Sequence, residues 1–223
     1  MCGRYTLKAP VKSLIDLFHL GQAPELPFRY NIAPTQQVPA VRISAQNKSR
    51  ELTLFRWGLI PSWAKDAKIG NQLINARSET VATKPAFRSA FRKRRCLMPA
   101  DGFYEWKKEG TKKQPFYIYL KDGGPFAFAA LWEDWQGEVG KSIQSCTILT
   151  TEANAMLKPL HDRMPVILPP ENFEQWLDPE IQKPEEILPI LQPFPGKELA
   201  MHPVSTLVNN PKNEKPECLA NVV

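Results

Sequence analysis

The chain has 223 residues and a net charge of +6, from 29 basic and 23 acidic side chains, with an ordinary globular composition apart from abundant proline. That length suits one domain of about 200–250 residues with much β structure, and it is enough to bury a core. No apolar run reaches bilayer length and no apolar leader opens the chain, so membrane helices and export are not expected; with its unpaired thiols this points to the reducing cytoplasm, at the nucleoid if the source is bacterial.

Cys2, Cys96, Cys146 and Cys218 form no CxxC pair, and with His19, His161 and His202 they give no zinc spacing. Neither a metal nor another cofactor is expected. The positive charge is compatible with a polyanion partner but does not demand one.

The chain opens Met1-Cys2-Gly3-Arg4. Cysteine is small enough for the initiator methionine to be trimmed. Trimming leaves one residue with an α-amine of pKa about 7.7–8.0 and a thiol of about 8.5. Both are partly deprotonated at neutral pH. Such a pair suits an aldehyde: the amine condenses to an imine and the thiolate closes a thiazolidine ring. Gly3 leaves room for close approach and Arg4 adds a fixed cation. The competing reading is a frayed terminal residue.

Val11, Leu14, Ile15 and Phe18 recur at helical spacing and predict an amphipathic helix over 10–20, with Pro10 in its first turn and Gly21 just past its end. A proline-punctuated loop, 24–34, carries Arg29-Tyr30-Asn31-Ile32-Ala33-Pro34. Strands are expected at 37–43 and 51–57, then a shaped loop over Trp57-Gly58-Leu59-Ile60-Pro61-Ser62-Trp63. If 73–79 is extended, Asn75 and Arg77 share a face. Residues 84–95 read as a short basic helix, and 99–102 as a turn into Phe103-Tyr104-Glu105-Trp106-Lys107. Further strands are expected at 115–120, 125–132, 143–150, 164–168 and 201–204, a helix from 152, and short helices around Trp176 and Ile187. Residues 205–223 read as a loose, proline- and lysine-rich tail. Many short strands, few helices and no βαβ rhythm predict a single α+β domain over 1–223 whose sheet curls toward a barrel.

Several pieces carry chemistry, each with an ordinary alternative. Glu105 lies among aromatics, a setting that desolvates a carboxylate and tunes it for proton transfer; a salt-bridged surface carboxylate is the alternative. His161, in Leu160-His161-Asp162-Arg163, is a proton donor or acceptor, or else a core histidine bound to a carbonyl. Asn75 suits a sugar hydroxyl and Arg77 a phosphate, or the two brace the sheet. Cations at 84–95 and 107–113, interleaved with Trp57, Trp63, Phe87, Phe91 and Trp106, are what single-stranded nucleic acid requires, and are equally a solvated charged face.

Met-Cys-Gly-Arg at 1–4, Arg-Tyr-Asn-Ile-Ala-Pro at 29–34, Trp-Gly-Leu-Ile-Pro-Ser-Trp at 57–63, Ile-Asn-Ala-Arg-Ser-Glu-Thr at 74–80, Arg-Arg-Cys-Leu-Met-Pro-Ala-Asp-Gly-Phe-Tyr-Glu-Trp at 94–106 and His-Asp-Arg-Met-Pro at 161–165 together resemble the SRAP family of abasic-site processing proteins. The resemblance runs from Cys2 to about Val204. It implies one α+β domain with a twisted, barrel-like mixed sheet flanked by short helices, and a basic groove for single-stranded DNA. It implies covalent capture of the abasic aldehyde by Cys2, with Asn75, Glu105 and His161 as its catalytic partners. Gly3, Arg4, Pro34, Trp57, Trp63, Arg77, Arg88 and Arg163 are then expected along the DNA. A strand-nicking lyase side reaction, self-removal of Met1, a link to the SOS response and DNA repair, replication-fork partners and a monomeric state belong to the same expectation. The competing functions are an N-terminal-nucleophile amidohydrolase or peptidase and a plain nucleic-acid-binding module.

Overall fold

The computed structural model describes residues 2–137, 140 and 142–222, except for the side chain of residue 109. Two sheets carry the domain. The first has five strands: β1 (Tyr5–Leu7), β2 (Arg29–Ile32), β7 (Gly102–Glu109), β8 (Lys112–Leu120) and β13 (Leu199–Pro203), ordered β13-β8-β7-β1-β2. The second contains β3 (Gln37–Ile43), β4 (Arg50–Trp57), β6 (Arg95–Ala100), β9 (Phe126–Gln136) and β10 (Ser142–Glu152). Because β10 pairs both with β4 and with β9, the ring β10-β4-β3-β6-β9 closes on itself. The expected barrel is therefore a closed five-stranded one. The short strands β5 (Asn75–Arg77), β11 (Arg163–Pro165) and β12 (Ile167–Leu168) are added to it. The barrel is mixed: β10 runs parallel to β4 and β5 and antiparallel to β9 and β11.

The core follows from strand composition. Strand β6 is buried at every position, and β9 presents Phe126, Phe128 and Leu131 with alanines between them, so neighbouring strands and side chains approach closely. Tyr5, Phe126 and Phe103 pack edge-on around Phe128. Helices are few and short: α1 (Val11–Phe18), α2 (Arg88–Lys93), α3 (Phe173–Leu177) and α4 (Pro184–Ile187). Helix α1 buries Leu14 and Phe18 and ends on His19 in the left-handed region, two residues before the glycine that the sequence suggests.

Three expectations need correction. The helix from 152 does not form: β10 extends to Glu152, and Asn154 then bonds Leu157 through both its carbonyl and its side chain, holding a turn. The basic helix is only α2, because Arg95 is buried at the start of β6, where its guanidinium bonds carbonyls of Phe91, Arg92, Trp176 and Asp178. It closes the ends of α2 and α3, so it does not face a ligand. The segment after 204 is not loose. Asn31 donates its carboxamide to the carbonyls of Val208, Asn210 and Asn213, at 3.2, 3.0 and 3.0 Å. Glu214 accepts from the Asn31 and Tyr30 amides and the Arg29 guanidinium. Val204, Val208 and Cys218 are buried with Tyr104 and Tyr117. Buried polar groups on β2 need these partners, and they hold the segment down.

Candidate active site

The site is built where the first sheet meets the barrel. Tyr5 pairs with Phe103 and Thr6 with Gly102, and the Tyr104 amide donates to the Arg4 carbonyl at 3.0 Å. Continuing that antiparallel register sets Gly3 opposite Glu105 and Cys2 opposite Trp106, and Glu105 is close enough to Cys2 to act on its thiol. Cys2 is fully buried. Burial first, and the charge of Glu105 second, push its thiol up to about 12, while a backbone hydrogen bond with Arg4 opposes them. The thiol is thus held protonated at neutral pH. Glu105 itself is 6% exposed.

Asn75 reaches the same point from the barrel. Strand β5 lies parallel to β10, Asn75 opposite Ile148, and the Asn75 carboxamide donates to the Cys2 carbonyl at 2.9 Å. Its oxygen is buried with no hydrogen-bond partner among the described residues. An acceptor in that state costs stability until a donor arrives. Trp57 supports this strand from below: its indole donates to the Ile74 carbonyl at 2.9 Å and its ring meets Tyr5 edge-on. Trp57 is fully buried, so the expectation that it touches DNA is corrected to a supporting role.

Glu105 and His161 line one open cavity of about 540 Å³ together with Trp106, Lys113 and Asn209. His161 follows the turn after β10. Its Nδ1 lies 2.9 Å from the Arg163 amide and 2.7 Å from the Asp162 carboxylate. One neutral tautomer cannot serve both. The amide is fixed in the backbone, whereas Asp162 is 83% exposed and water can replace the imidazole. The backbone therefore favours Nδ1 as acceptor, which leaves the proton on Nε2. Two larger cavities, of 730 and 610 Å³ around Arg50, are lined by none of Cys2, Glu105 and His161.

The remaining expected residues divide by exposure. Trp63 is 59% exposed, and its indole makes a long 3.4 Å bond to the Pro85 carbonyl. Arg77 and Arg88 are exposed, and Gly3 and Pro34 are half-buried. Gly58, at φ +123°, turns the chain from Trp57 into this loop, and a side chain there would collide with the Gly70 carbonyl. Arg4 is half-buried, its charge disfavoured by desolvation, and bonds the Gly3 carbonyl at 2.9 Å. Arg163 is already engaged by Glu79, at 2.6 and 2.8 Å, and by the Thr150 carbonyl. That pair draws the Glu79 carboxyl below its usual range, against the opposing effect of its partial burial. Asn209 is a cavity residue that the sequence reading missed. Its signal was the apolar spacing of Val204, Leu207 and Val208 inside an otherwise polar stretch. Among the described residues no cluster of three potential metal-ligating side chains occurs, and no helix is long and apolar enough to cross a membrane.

The chain resembles known proteins over nearly its whole length. The family model described as SOS response associated peptidase (SRAP) matches residues 1–211. The chain is 44% identical over 223 residues to the abasic site processing protein YoqW of Bacillus subtilis, covering 98% of this chain and 99% of that one. It is 34% identical over 229 residues to the abasic site processing protein YedK of Escherichia coli, with both chains fully covered. A crystal structure of a protein from Bacteroides thetaiotaomicron superimposes over the whole of both chains with a TM-score of 0.88 at 27% identity.

Proposed function

The chain belongs to the SRAP family, whose relatives include abasic site processing proteins, and on that premise we propose that it captures abasic sites in single-stranded DNA as a covalent thiazolidine on Cys2. The observation that carries this reading is the meeting of Cys2, Glu105 and Asn75 beside a cavity that His161 also lines.

The reaction follows from the groups present. An abasic deoxyribose is mostly a closed hemiacetal. His161 bonds the ring oxygen through its Nε2–H while a proton from solvent reaches that oxygen, which becomes a hydroxyl, and the anomeric hydroxyl loses its proton to solvent as the aldehyde forms, so the imidazole stays neutral. Once Met1 is removed, Glu105 takes a proton from the Cys2 ammonium. The free amine attacks the aldehyde carbon, and the carbinolamine expels water to give the imine. The Cys2 sulfur then bonds to the imine carbon and the thiol proton passes to the nitrogen. One water is released overall, and no oxidant is needed. The order, amine first and sulfur second, follows from the chemistry: the imine is the electrophile on which the sulfur closes. The orphan oxygen of Asn75 suits a hydroxyl of the opened sugar. Arg4, two residues from Cys2, and exposed Arg77, two residues from Asn75, supply cations for phosphates, and Trp63 offers a face for base stacking. An imine that escapes the sulfur can instead undergo β-elimination and nick the strand. This reading includes removal of Met1 by the protein itself, a DNA-repair setting and action as a monomer.

The test is incubation with an abasic single-stranded oligonucleotide, followed by a denaturing gel and intact-mass measurement. The wild type should give an adduct whose mass is that of the protein without Met1 plus the oligonucleotide, less one water, and Cys2→Ala should give none. An equal band from both proteins rejects the proposal. Turnover of amides without DNA would favour an amidohydrolase instead.

A further inference from the structure

The docked segment after β13 does more than cover β2. It is tied at both ends: the Val204 amide donates to the Pro115 carbonyl at 2.9 Å, and the Val222 amide donates to the Pro203 carbonyl at 3.3 Å. Between them, Asn31 and Glu214 fasten it to β2, and the Asn213 carboxamide bonds the Leu207 carbonyl at 2.8 Å. This strap delivers Asn209 to the wall of the Glu105–His161 cavity. There the Asn209 side-chain oxygen accepts from the Trp106 indole at 2.8 Å, and its main-chain carbonyl lies 3.5 Å from the Arg4 guanidinium. Trp106 directly follows Glu105, and Arg4 lies two residues from Cys2. One residue of the strap thus touches the neighbours of both reacting groups, of which Cys2 precedes β1 and Glu105 lies on β7.

Resting on the capture reaction proposed above, we propose that Asn209 is a positioning residue: through Trp106 and Arg4 it aligns the Glu105 strand with the Cys2 segment around the sugar. Alignment of two groups is worth far more to the rate than the bond that maintains it, because small displacements cost large factors in a reaction between held partners.

The experiment compares wild type, Asn209→Ala, Asn209→Asp, Trp106→Phe and the Asn209→Ala/Trp106→Phe double variant. Adduct formation is followed over a range of abasic oligonucleotide concentrations, and exchange of the Trp106 indole proton is followed by NMR. Asn209→Ala should lower the limiting rate about five-fold with little change in the half-saturating concentration. Asn209→Asp keeps an acceptor for the indole and should recover most of that rate. The double variant should react no more slowly than Trp106→Phe alone, since the two changes remove one interaction. The indole proton should exchange faster in Asn209→Ala. A wild-type rate in Asn209→Ala, additive losses in the double variant, or unchanged indole exchange overturns the proposal. A wild type that forms no adduct would reject the capture reaction, and the indole exchange would still decide whether Asn209 holds Trp106.

Discussion

Trp57 and Trp63 bracket one short loop, yet the first is fully buried and the second is 59% exposed. Trp57 belongs to the region that builds the site: it holds the Ile74 carbonyl, and through it the strand that presents Asn75 to Cys2. Trp63 belongs to the outer face with Arg77 and Arg88, where few bonds constrain the side chains. The difference separates two tasks. The interior fixes where Cys2 and Asn75 sit; the outer face, on the function proposed above, is the surface that would meet a strand of variable sequence.

Substitutions should break along the same line. The largest effect is expected from Trp57→Ala, which opens a cavity in the core and frees the Ile74 carbonyl; a loss of about 3–5 kcal/mol should appear in denaturant unfolding. An effect below about 1 kcal/mol would move Trp57 out of the supporting region. Next, Glu105→Gln should slow the limiting rate of adduct formation about 100-fold, at the low end for loss of a general acid–base group, while binding of intact single-stranded DNA stays the same. Equal losses of rate and affinity would demote Glu105 to a structural residue. The smallest effect belongs to Trp63→Ala, which should weaken single-strand binding by about 1–3 kcal/mol in a titration, the usual worth of one stacked base, and leave folding stability and limiting rate unchanged. A change in limiting rate would place Trp63 with the interior.

Sequence reading went furthest where the physics is local. Alternation in 37–43 and 51–57 marks β3 and β4 because each pleat turns successive side chains to opposite faces. Cys2, Asn75, Glu105 and His161 stood out by chemistry and family pattern, and the structure gathers them at or beside one cavity. What stayed hidden depends on distant partners. Nothing local tells that Arg95 faces carbonyls of two helices while its neighbour Arg94 pairs with Glu133. Nor does a polar, proline-rich stretch reveal that Asn31, nearly two hundred residues earlier, supplies the donors that hold it. Local propensity describes a segment's freedom, and a partner far along the chain can remove that freedom.

The closed ring has a consequence for how the protein is made. Strand β10 is the stave shared by β4, β5, β9 and β11, and its partners range from Arg56 to Pro165. Until the ribosome has released that stave, the hoop stays open and the Asn75 strand has nothing to lie against. Assembly with such widely separated pairings is slow, and a message cut short before residue 142 would yield a chain with Cys2 and no closed vessel to hold it.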